Sequence, residues 1–230
     1  MFIGREKELK VFTDLYNQNR FQLVVLYGRR RVGKTTFLTE FCKDKNTIFY
    51  SAAKSNDTVN LQKFSEQVFE YYNEPNLSAF DSWDKAFGYI DDRQRDEQLV
   101  LVIDEFPYIA EKNESILSTI QHLVDHKLKK GKLFIVLCGS YVSFMEKEVL
   151  SSESPIFGRR TGQLHMKPFD YKTSCRFFEE FSAEEKLMLY GAVGGTPKYL
   201  EQIAPSLTLK DNIIGNFLKP ISYLYEEPLF

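Results

Sequence analysis

The chain has 230 residues, enough for one large domain or for a large domain followed by a smaller one. Hydrophobic residues make up 43% and charged residues 27%, a globular composition that excludes an intrinsically disordered chain. The formal net charge of -2 predicts no general attraction to nucleic acid, so a DNA contact would need a local basic patch.

The cysteine pattern and the first residues predict a cytoplasmic protein. Cys42, Cys138 and Cys175 are odd in number, far apart and without a CxxC pair, which indicates neither a disulfide framework nor a zinc site. The start, MFIGREKELK, is charged within five residues, and no apolar run of transmembrane length follows it. The sequence therefore predicts neither a signal peptide nor a membrane anchor.

Helices and strands alternate along most of the chain. An amphipathic helix is expected over residues 4–17, because its apolar side chains recur at helical spacing. Short apolar runs predict strands over residues 22–27, 46–51, 99–104, 133–140 and 162–167. The helices predicted between them cover residues 34–41, 58–72, 82–90 and 114–128. This alternation predicts a parallel sheet that is covered by helices on both faces.

The last quarter of the chain has a different pattern. From Tyr171 onward it is helical, with breaks at GGTP (residues 194–197) and at Pro205. We therefore predict an α/β core over residues 1–168 and a small helical domain over residues 169–230. The final ten residues, ISYLYEEPLF, are apolar, and we expect the natural chain to continue beyond them.

Residues 28–35 read GRRRVGKT and match the phosphate-loop pattern GxxxxGK[ST], with a predicted strand before it and a helix after it. In such a loop Gly28 and Gly33 allow backbone N–H groups to point at a phosphate, near the positive end of the following helix. Lys34 would neutralise the β- and γ-phosphates, and the Thr35 hydroxyl would ligate Mg²⁺. The residues expected to contact ATP or ADP here are Gly28, Arg29, Arg30, Arg31, Val32, Gly33, Lys34, Thr35 and Thr36.

Arg29, Arg30 and Arg31 fill the variable positions of this loop, and two interpretations of them stay open. They would attract a nucleotide or the acidic group of a partner, or they are solvated loop residues. Thr36 is a further candidate for contact with the α-phosphate.

An acidic pair follows the predicted strand LVLVI. The carboxyl edge of a parallel sheet is where open α/β folds bind ligands, and Asp104 and Glu105 stand at that edge. Asp104 would hold Mg²⁺ through water, and Glu105 would orient or deprotonate the water that attacks the γ-phosphate. The alternative interpretation is an exposed acidic turn.

Ser140 ends the predicted strand LFIVLCG. If that strand lies between the phosphate-loop strand and the acidic strand, the Ser140 hydroxyl would stand near the phosphate loop and sense the γ-phosphate. The alternative interpretation is a serine that caps the N-terminus of the next helix.

These stretches resemble the archaeal-type ATPase family of the STAND and AAA+ group, over essentially the whole chain. FIGREKEL resembles the family's N-terminal box, GRRRVGKTTFLTEF its Walker A segment, and LVLVIDEFPYI its Walker B segment. LCGSYVSFM resembles the sensor-1 strand, SPIFGRRTGQLHMKPF the arginine-bearing stretch, and VGGTPKYLEQI the GxP box. Many AAA+ proteins have Asn or Thr at the sensor-1 position, where this chain has Ser140.

The resemblance implies further site residues. Those implied to flank the adenine are Phe2, Ile3, Gly4, Arg5 and Pro197. Arg159 and Arg160 are implied to sense phosphate, either within one subunit or as a finger toward a neighbouring subunit. The alternative for both arginines is a basic turn that packs against an acidic surface. Family members usually continue into a winged-helix region and often a nuclease-like module, which implies that a DNA or protein partner would bind outside this chain.

We therefore expect a three-layer α/β/α P-loop fold with a five-stranded parallel sheet in the order 5-1-4-3-2, followed by a helical lid.

The expected function is that of a switch that hydrolyses ATP with Mg²⁺. Copies of this chain would be possible partners in a homo-oligomer. The alternatives are a nucleotide-gated interaction module without appreciable hydrolysis, an ATPase that acts on DNA through a further C-terminal region, and a small-molecule kinase. The spacing of His122 and His126 would suit a metal site on one helix face, but the lysine-rich helix end favours solvated side chains.

Overall fold

A computed structural model describes residues 2–94 and 97–227 of the chain. The chain divides into two compact units, which we call the sheet unit and the helical unit. The sheet unit consists of Glu8–Arg29 and Lys34–His165. The helical unit consists of Met1–Lys7, Arg30–Gly33 and Met166–Phe230, of which residues 1 and 228–230, the end of the predicted apolar C-terminal stretch, lie outside the described residues. The grouping of residues 30–33 with the C-terminal part is not predicted by the sequence pattern.

The sheet unit contains one sheet of five parallel strands. The strands are β1 (Gln22–Tyr27), β2 (Thr47–Ser51), β3 (Leu99–Asp104), β4 (Leu133–Gly139) and β5 (Gly162–His165). Their order is β2-β3-β4-β1-β5, and every neighbouring pair is parallel. The predicted sheet and its order, read from the opposite edge, are confirmed.

Burial along the strands explains why the central three read as continuous apolar runs. Every residue of β1, β3 and β4 is buried, as expected for parallel strands that helices cover on both faces. The edge strands β2 and β5 are shorter and partly exposed. Since the central strands are parallel and in register, their carboxyl ends, where the predicted phosphate loop and acidic pair begin, meet at one edge of the sheet.

Among the described residues, seven helices accompany these strands. They are α1 (Glu6–Tyr16), α2 (Lys34–Cys42), α3 (Asp57–Tyr71), α4 (Trp83–Arg93), α5 (Pro107–Ala110), α6 (Ile116–His126) and α7 (Val142–Phe144). A 3-10 turn, Leu128–Lys130, follows α6, and a π-helical turn, Met145–Val149, continues α7. Side-chain caps fix the start of two helices, because Asn56 accepts from the Val59 N–H at 2.9 Å and Ser82 from the Lys85 N–H at 3.3 Å.

The helical unit is built from short elements. These are α8 (Tyr171–Ser174), α9 (Ala183–Val193), α10 (Pro197–Leu200) and α11 (Leu209–Ile213), with a 3-10 turn at Cys175–Phe177 and a π-helical turn at Ile214–Leu218. Buried apolar side chains such as Phe178, Leu189 and Leu200 form its core. No helix in residues 2–94 or 97–227 is long and apolar enough to cross a membrane.

Candidate functional site

The phosphate loop begins where β1 ends. The side chain of Lys34, the first residue of α2, is buried, with 5% of the residue exposed. Its ammonium group donates hydrogen bonds to the backbone carbonyls of Gly28 at 2.8 Å and of Arg29 at 2.9 Å. The Gly28 N–H donates to the Gly139 carbonyl of β4 at 3.3 Å. The loop therefore presents a buried cation at the carboxyl edge of the sheet.

Thr35 follows Lys34 in the chain and contacts Asp104, the last residue of β3. The Thr35 hydroxyl donates to one carboxylate oxygen of Asp104 at 2.9 Å. The other oxygen accepts the backbone N–H of Glu105 at 3.0 Å. Asp104 is 4% exposed at the end of β3, so α2 and β3 bring together the hydroxyl and the carboxylate that the sequence predicted as metal ligands. Thr36, the next residue of α2, is exposed.

Glu105 contacts the end of β4. Its carboxylate accepts the Ser140 hydroxyl and, at 3.2 Å, the Ser140 backbone N–H. Glu105 has φ 52°, in the left-handed region that non-glycine residues rarely adopt, and the following Phe106 N–H is bound to the Cys138 carbonyl at 2.8 Å. Such backbone strain persists only where neighbouring contacts hold it, and it clusters at functional sites.

The position of Ser140 meets the condition stated for it, since β4 lies between β1 and β3. Its hydroxyl contacts Glu105, whereas the next helix, α7, begins after Tyr141 without a side-chain cap. The helix-cap interpretation therefore does not describe this serine in the present structure. A role in sensing phosphate stays a prediction.

Cys138 is a residue near the site that the sequence argument did not single out. It is fully buried in β4, and burial, together with the nearby Asp104 carboxylate, raises the pKa of its thiol well above the usual value. The thiol is therefore neutral beside Asp104 at physiological pH. The predicted strand order could have indicated this position, because parallel pairing of β3 with β4 places Cys138 next to the acidic pair.

Arg31 contacts the C-terminal part of the helical unit. Its guanidinium pairs with Glu227, lies 5.3 Å from the ring centre of Tyr223, and donates to the Tyr199 hydroxyl at 3.4 Å. The Tyr199 hydroxyl in turn donates to Glu227 at 2.6 Å. Arg31 is thus an ion-paired residue with φ 70°, and it is exposed, as are Arg29 and Arg30. The sequence held no signal for this pairing.

The residues implied to flank the adenine belong to the helical unit. Arg5 is 7% exposed, donates to the carbonyl of Val32 at 3.4 Å and of Lys167 at 2.5 Å, and lies 4.2 Å from the Phe169 ring centre. Phe2, Ile3 and Gly4 are partly buried, and Pro197 is buried as the first residue of α10. A contact of these residues with adenine stays a prediction.

Arg159 and Arg160 have partners within the sheet unit. Arg159 holds Asp125 of α6 through Nη2 at 2.8 Å and Nε at 3.1 Å. The hydrogen bond from Arg159 and, second to it, the one from Lys129 lower the pKa of Asp125 to about 2. Arg160 donates to the Leu150 carbonyl at 3.1 Å and to Gln163 at 3.1 Å. Arg159 therefore matches the basic-turn alternative in this structure, and the sensing of phosphate by either arginine stays a prediction.

No group of three or more metal-ligating side chains occurs within the part of the chain that the structure describes. His122 and His126 have ring centres 4.4 Å apart, without the further ligands that a zinc site needs. One carboxylate and one hydroxyl are, however, a suitable protein contribution to a Mg²⁺ site, because Mg²⁺ keeps several waters and binds substrate phosphates.

Comparison with known proteins adds independent information. Residues 2–203 match the family described as an ATPase domain predominantly from Archaea. An uncharacterized protein of Methanocaldococcus jannaschii is 34% identical over 204 residues, covering 88% of this chain and 44% of that protein. The chain thus spans less than half the length of this relative.

Two solved structures have the same fold. A Walker-type ATPase of Pyrococcus abyssi superposes with a TM-score of 0.65 at 22% identity, covering 86% of this chain and 65% of that one. The ORC2 protein of Aeropyrum pernix, solved as ADPNP and ADP complexes, gives 0.64 at 14% identity, covering 86% and 60%. With the family match over most of its length, this chain belongs to the ATPase domain family found predominantly in Archaea.

Proposed function

We propose that this ATP-binding domain binds ATP with Mg²⁺ and hydrolyses its β–γ phosphoanhydride bond, as a switch of the AAA+ or STAND kind. The observation that carries the proposal is the pair of contacts made by Asp104. Its buried carboxylate contacts the Thr35 hydroxyl of the phosphate loop through one oxygen and the Glu105 backbone through the other. One residue therefore links the loop that holds phosphate to the acid expected to act on water.

Lys34 supplies the charge for phosphate binding in this proposal. Its ammonium group is already desolvated and is held by two carbonyls, which are weaker partners than phosphate oxygens. A triphosphate would take up these hydrogen bonds and neutralise the buried charge. Backbone N–H groups at the start of α2 would add the positive end of a helix.

Thr35 and Asp104 would hold Mg²⁺, Thr35 directly and Asp104 through water. The metal would neutralise charge that develops on the β- and γ-phosphate oxygens. The Thr35 hydroxyl now donates to Asp104, and it would instead turn a lone pair toward the metal, which a hydroxyl can do by rotating its proton. Asp104 is 4% exposed and both of its carboxylate oxygens accept hydrogen bonds, which favours one ordered position.

Glu105 would orient and deprotonate the attacking water. Its carboxylate is placed by Ser140, so the two strand ends β3 and β4 together fix the position of the base. Accurate placement of a base contributes to the rate because proton transfer requires hydrogen-bond distance to the water. We further propose that hydrolysis changes the state of the helical unit, which carries Arg31, Pro197 and the implied adenine contacts.

The decisive experiment uses Glu105→Gln, which keeps the size and one oxygen of the side chain but removes its basicity. Binding of Mg-ATP measured by calorimetry should stay within about threefold of wild type, and phosphate release should fall by about a hundredfold or more. Glu153→Gln, an exposed loop position, is the matched control and should behave like wild type. Unchanged turnover in Glu105→Gln would remove this residue from the mechanism.

A second candidate function is a nucleotide-gated interaction module with negligible hydrolysis. The observation in its favour is the engagement of Glu105 by Ser140, which could also keep the carboxylate from water. Phosphate release from the purified protein over hours, with and without duplex DNA, separates the two. Release under neither condition, together with tight nucleotide binding, would favour the module, and release stimulated by DNA would favour an ATPase that acts on DNA.

A further inference from the structure

The sheet unit contains a cavity of about 430 Å³ between the region of α5 and α6 and the end of α7. Its apolar lining comes from Ala110, Ile116, Leu117 and Phe144. Volumes of roughly 300 to 1,000 Å³ are typical of pockets that hold ligands. We call this cavity the α5–α7 groove.

The rim of the α5–α7 groove is acidic. Glu111, Glu114 and Glu148 line it, all three are exposed, and none of the described residues that line it is a lysine or an arginine. Glu148 has Lys147 at 3.7 Å, whereas Glu111 and Glu114 have no ion-pair partner within residues 2–94 and 97–227. An apolar floor with an acidic rim is complementary to a cationic group that carries apolar side chains, and it repels the phosphates of nucleic acid.

The two walls of the groove continue directly from Glu105, the proposed base, and from Ser140, which contacts it. Helix α5 begins two residues after Glu105, and α7 begins two residues after Ser140. Between the walls, a Cβ atom on Gly139 would lie 2.7 Å from Met145 Sδ and 2.9 Å from Pro107 Cδ. Because this packing leaves no free space, a shift of one wall would displace the strand end that positions Ser140.

We propose that the α5–α7 groove docks a segment of a partner protein that presents one or two apolar side chains between lysines or arginines. The apolar side chains fill the floor, and the cations pair with Glu111, Glu114 and Glu148. A free polyamine would satisfy the rim but would leave the floor empty, so a protein segment is the better occupant. Docking changes ATP turnover by moving α5 relative to α7, and this coupling alone rests on the proposed function.

The docking test uses a short dye-labelled amphipathic helical peptide with leucines on one face and lysines on the other. Fluorescence anisotropy against the full chain should show saturable binding. The double variant Glu111→Lys/Glu148→Lys should weaken binding by about tenfold, which corresponds to about 1.4 kcal/mol. The matched control Glu66→Lys/Glu70→Lys makes the same charge change on the exposed face of α3 and should bind like wild type.

Two further arms separate charge from shape. A peptide with glutamates in place of the lysines should not bind, and Phe144→Ala should weaken the lysine peptide without any change in charge. Equal binding by the groove variant and the α3 variant would show that only the overall charge matters, and it would overturn the proposal. Sedimentation tests a second copy as occupant: self-association that the groove variant abolishes would overturn the proposal of a separate partner.

The coupling is read from phosphate release with and without saturating peptide. Wild type should show a change of at least about threefold, and Glu111→Lys/Glu148→Lys should show none at the same peptide concentration. Binding without any change in turnover would overturn the coupling. If the protein releases no phosphate at all, the proposed function fails while the anisotropy result still decides whether the groove docks a peptide.

Discussion

Replacing Ser140 by alanine tests whether β4 positions the proposed base. Glu105 accepts two hydrogen bonds from Ser140, one from the hydroxyl and one from the backbone N–H at 3.2 Å. Ser140→Ala removes the first and leaves the second. Glu105 then keeps only a longer bond to hold its carboxylate, and its backbone remains in the unfavourable left-handed region.

The size of the expected rate loss follows from the charge on Glu105, which accepts the hydrogen bond. A hydrogen bond to an ionised group contributes about 1.5 to 3 kcal/mol net. If that energy is lost from the transition state, the rate falls by about 10- to 150-fold, since each 1.36 kcal/mol is a factor of ten. Partial exposure of Ser140 places the expected loss at the lower end of this range.

The assay is steady-state phosphate release at saturating Mg-ATP, with nucleotide affinity measured in parallel by calorimetry. The turnover number should fall while the dissociation constant stays within about threefold, because the contact positions Glu105 rather than the nucleotide. Ser140→Thr keeps a hydroxyl at this position and should recover most of the activity. A turnover number that is unchanged would refute the positioning role, and a higher one would show that Ser140 restrains Glu105.

Two further predictions concern the helical unit and the surface of the sheet unit. Gly195→Ala should lower the free energy of unfolding of the protein by about 3 kcal/mol in denaturant titrations, because the new Cβ would lie 1.8 Å from the Phe169 carbonyl oxygen. Gly191→Ala, where α9 leaves open space around the Cβ, is the control and should stabilise by about 0.5 to 1 kcal/mol, and equal losses in both variants would contradict the packing argument. The lowered Asp125 pKa means that its ion pair with Arg159 stabilises the fold above pH 3.8 and is lost as pH falls toward about 2. The substitution Arg159→Ala should raise the pKa of Asp125, as measured by NMR titration of its carboxyl group. An unchanged pKa would show that Arg159 does not cause the lowering.

The sheet was predictable because its determinants are local. β1, β3 and β4 are apolar at nearly every position, and the phosphate-loop pattern ties β1 to the helix that follows it. Helix α5 was not predicted, because four residues that begin with Pro107 are too few to show a helical period. The contact of Arg31 with Glu227 was equally out of reach, since it joins distant segments whose packing no periodic pattern encodes.

The proximity of four proposed site residues was predictable, but their contacts were predictable only in part. The sequence placed Thr35, Asp104, Glu105 and Ser140 near one sheet edge, and the strand order brings them there. The hydrogen bond between Glu105 and Ser140 depends on the left-handed backbone at Glu105, a local strain that composition does not reveal. The ion pair of Arg159 with Asp125 depends on how a loop packs against α6.

The central claim is that the loop around Lys34 binds the phosphates of Mg-ATP, and calorimetry on wild type and Lys34→Ala tests it most directly. Wild type should bind Mg-ATP with measurable heat, and Lys34→Ala should bind at least about thirtyfold more weakly, since a buried paired charge contributes about 2 kcal/mol or more. Lys43→Ala, an exposed lysine just beyond α2, is the control and should bind like wild type. Folded wild-type protein without heat of binding at millimolar Mg-ATP, or equal affinity in Lys34→Ala, would contradict the account.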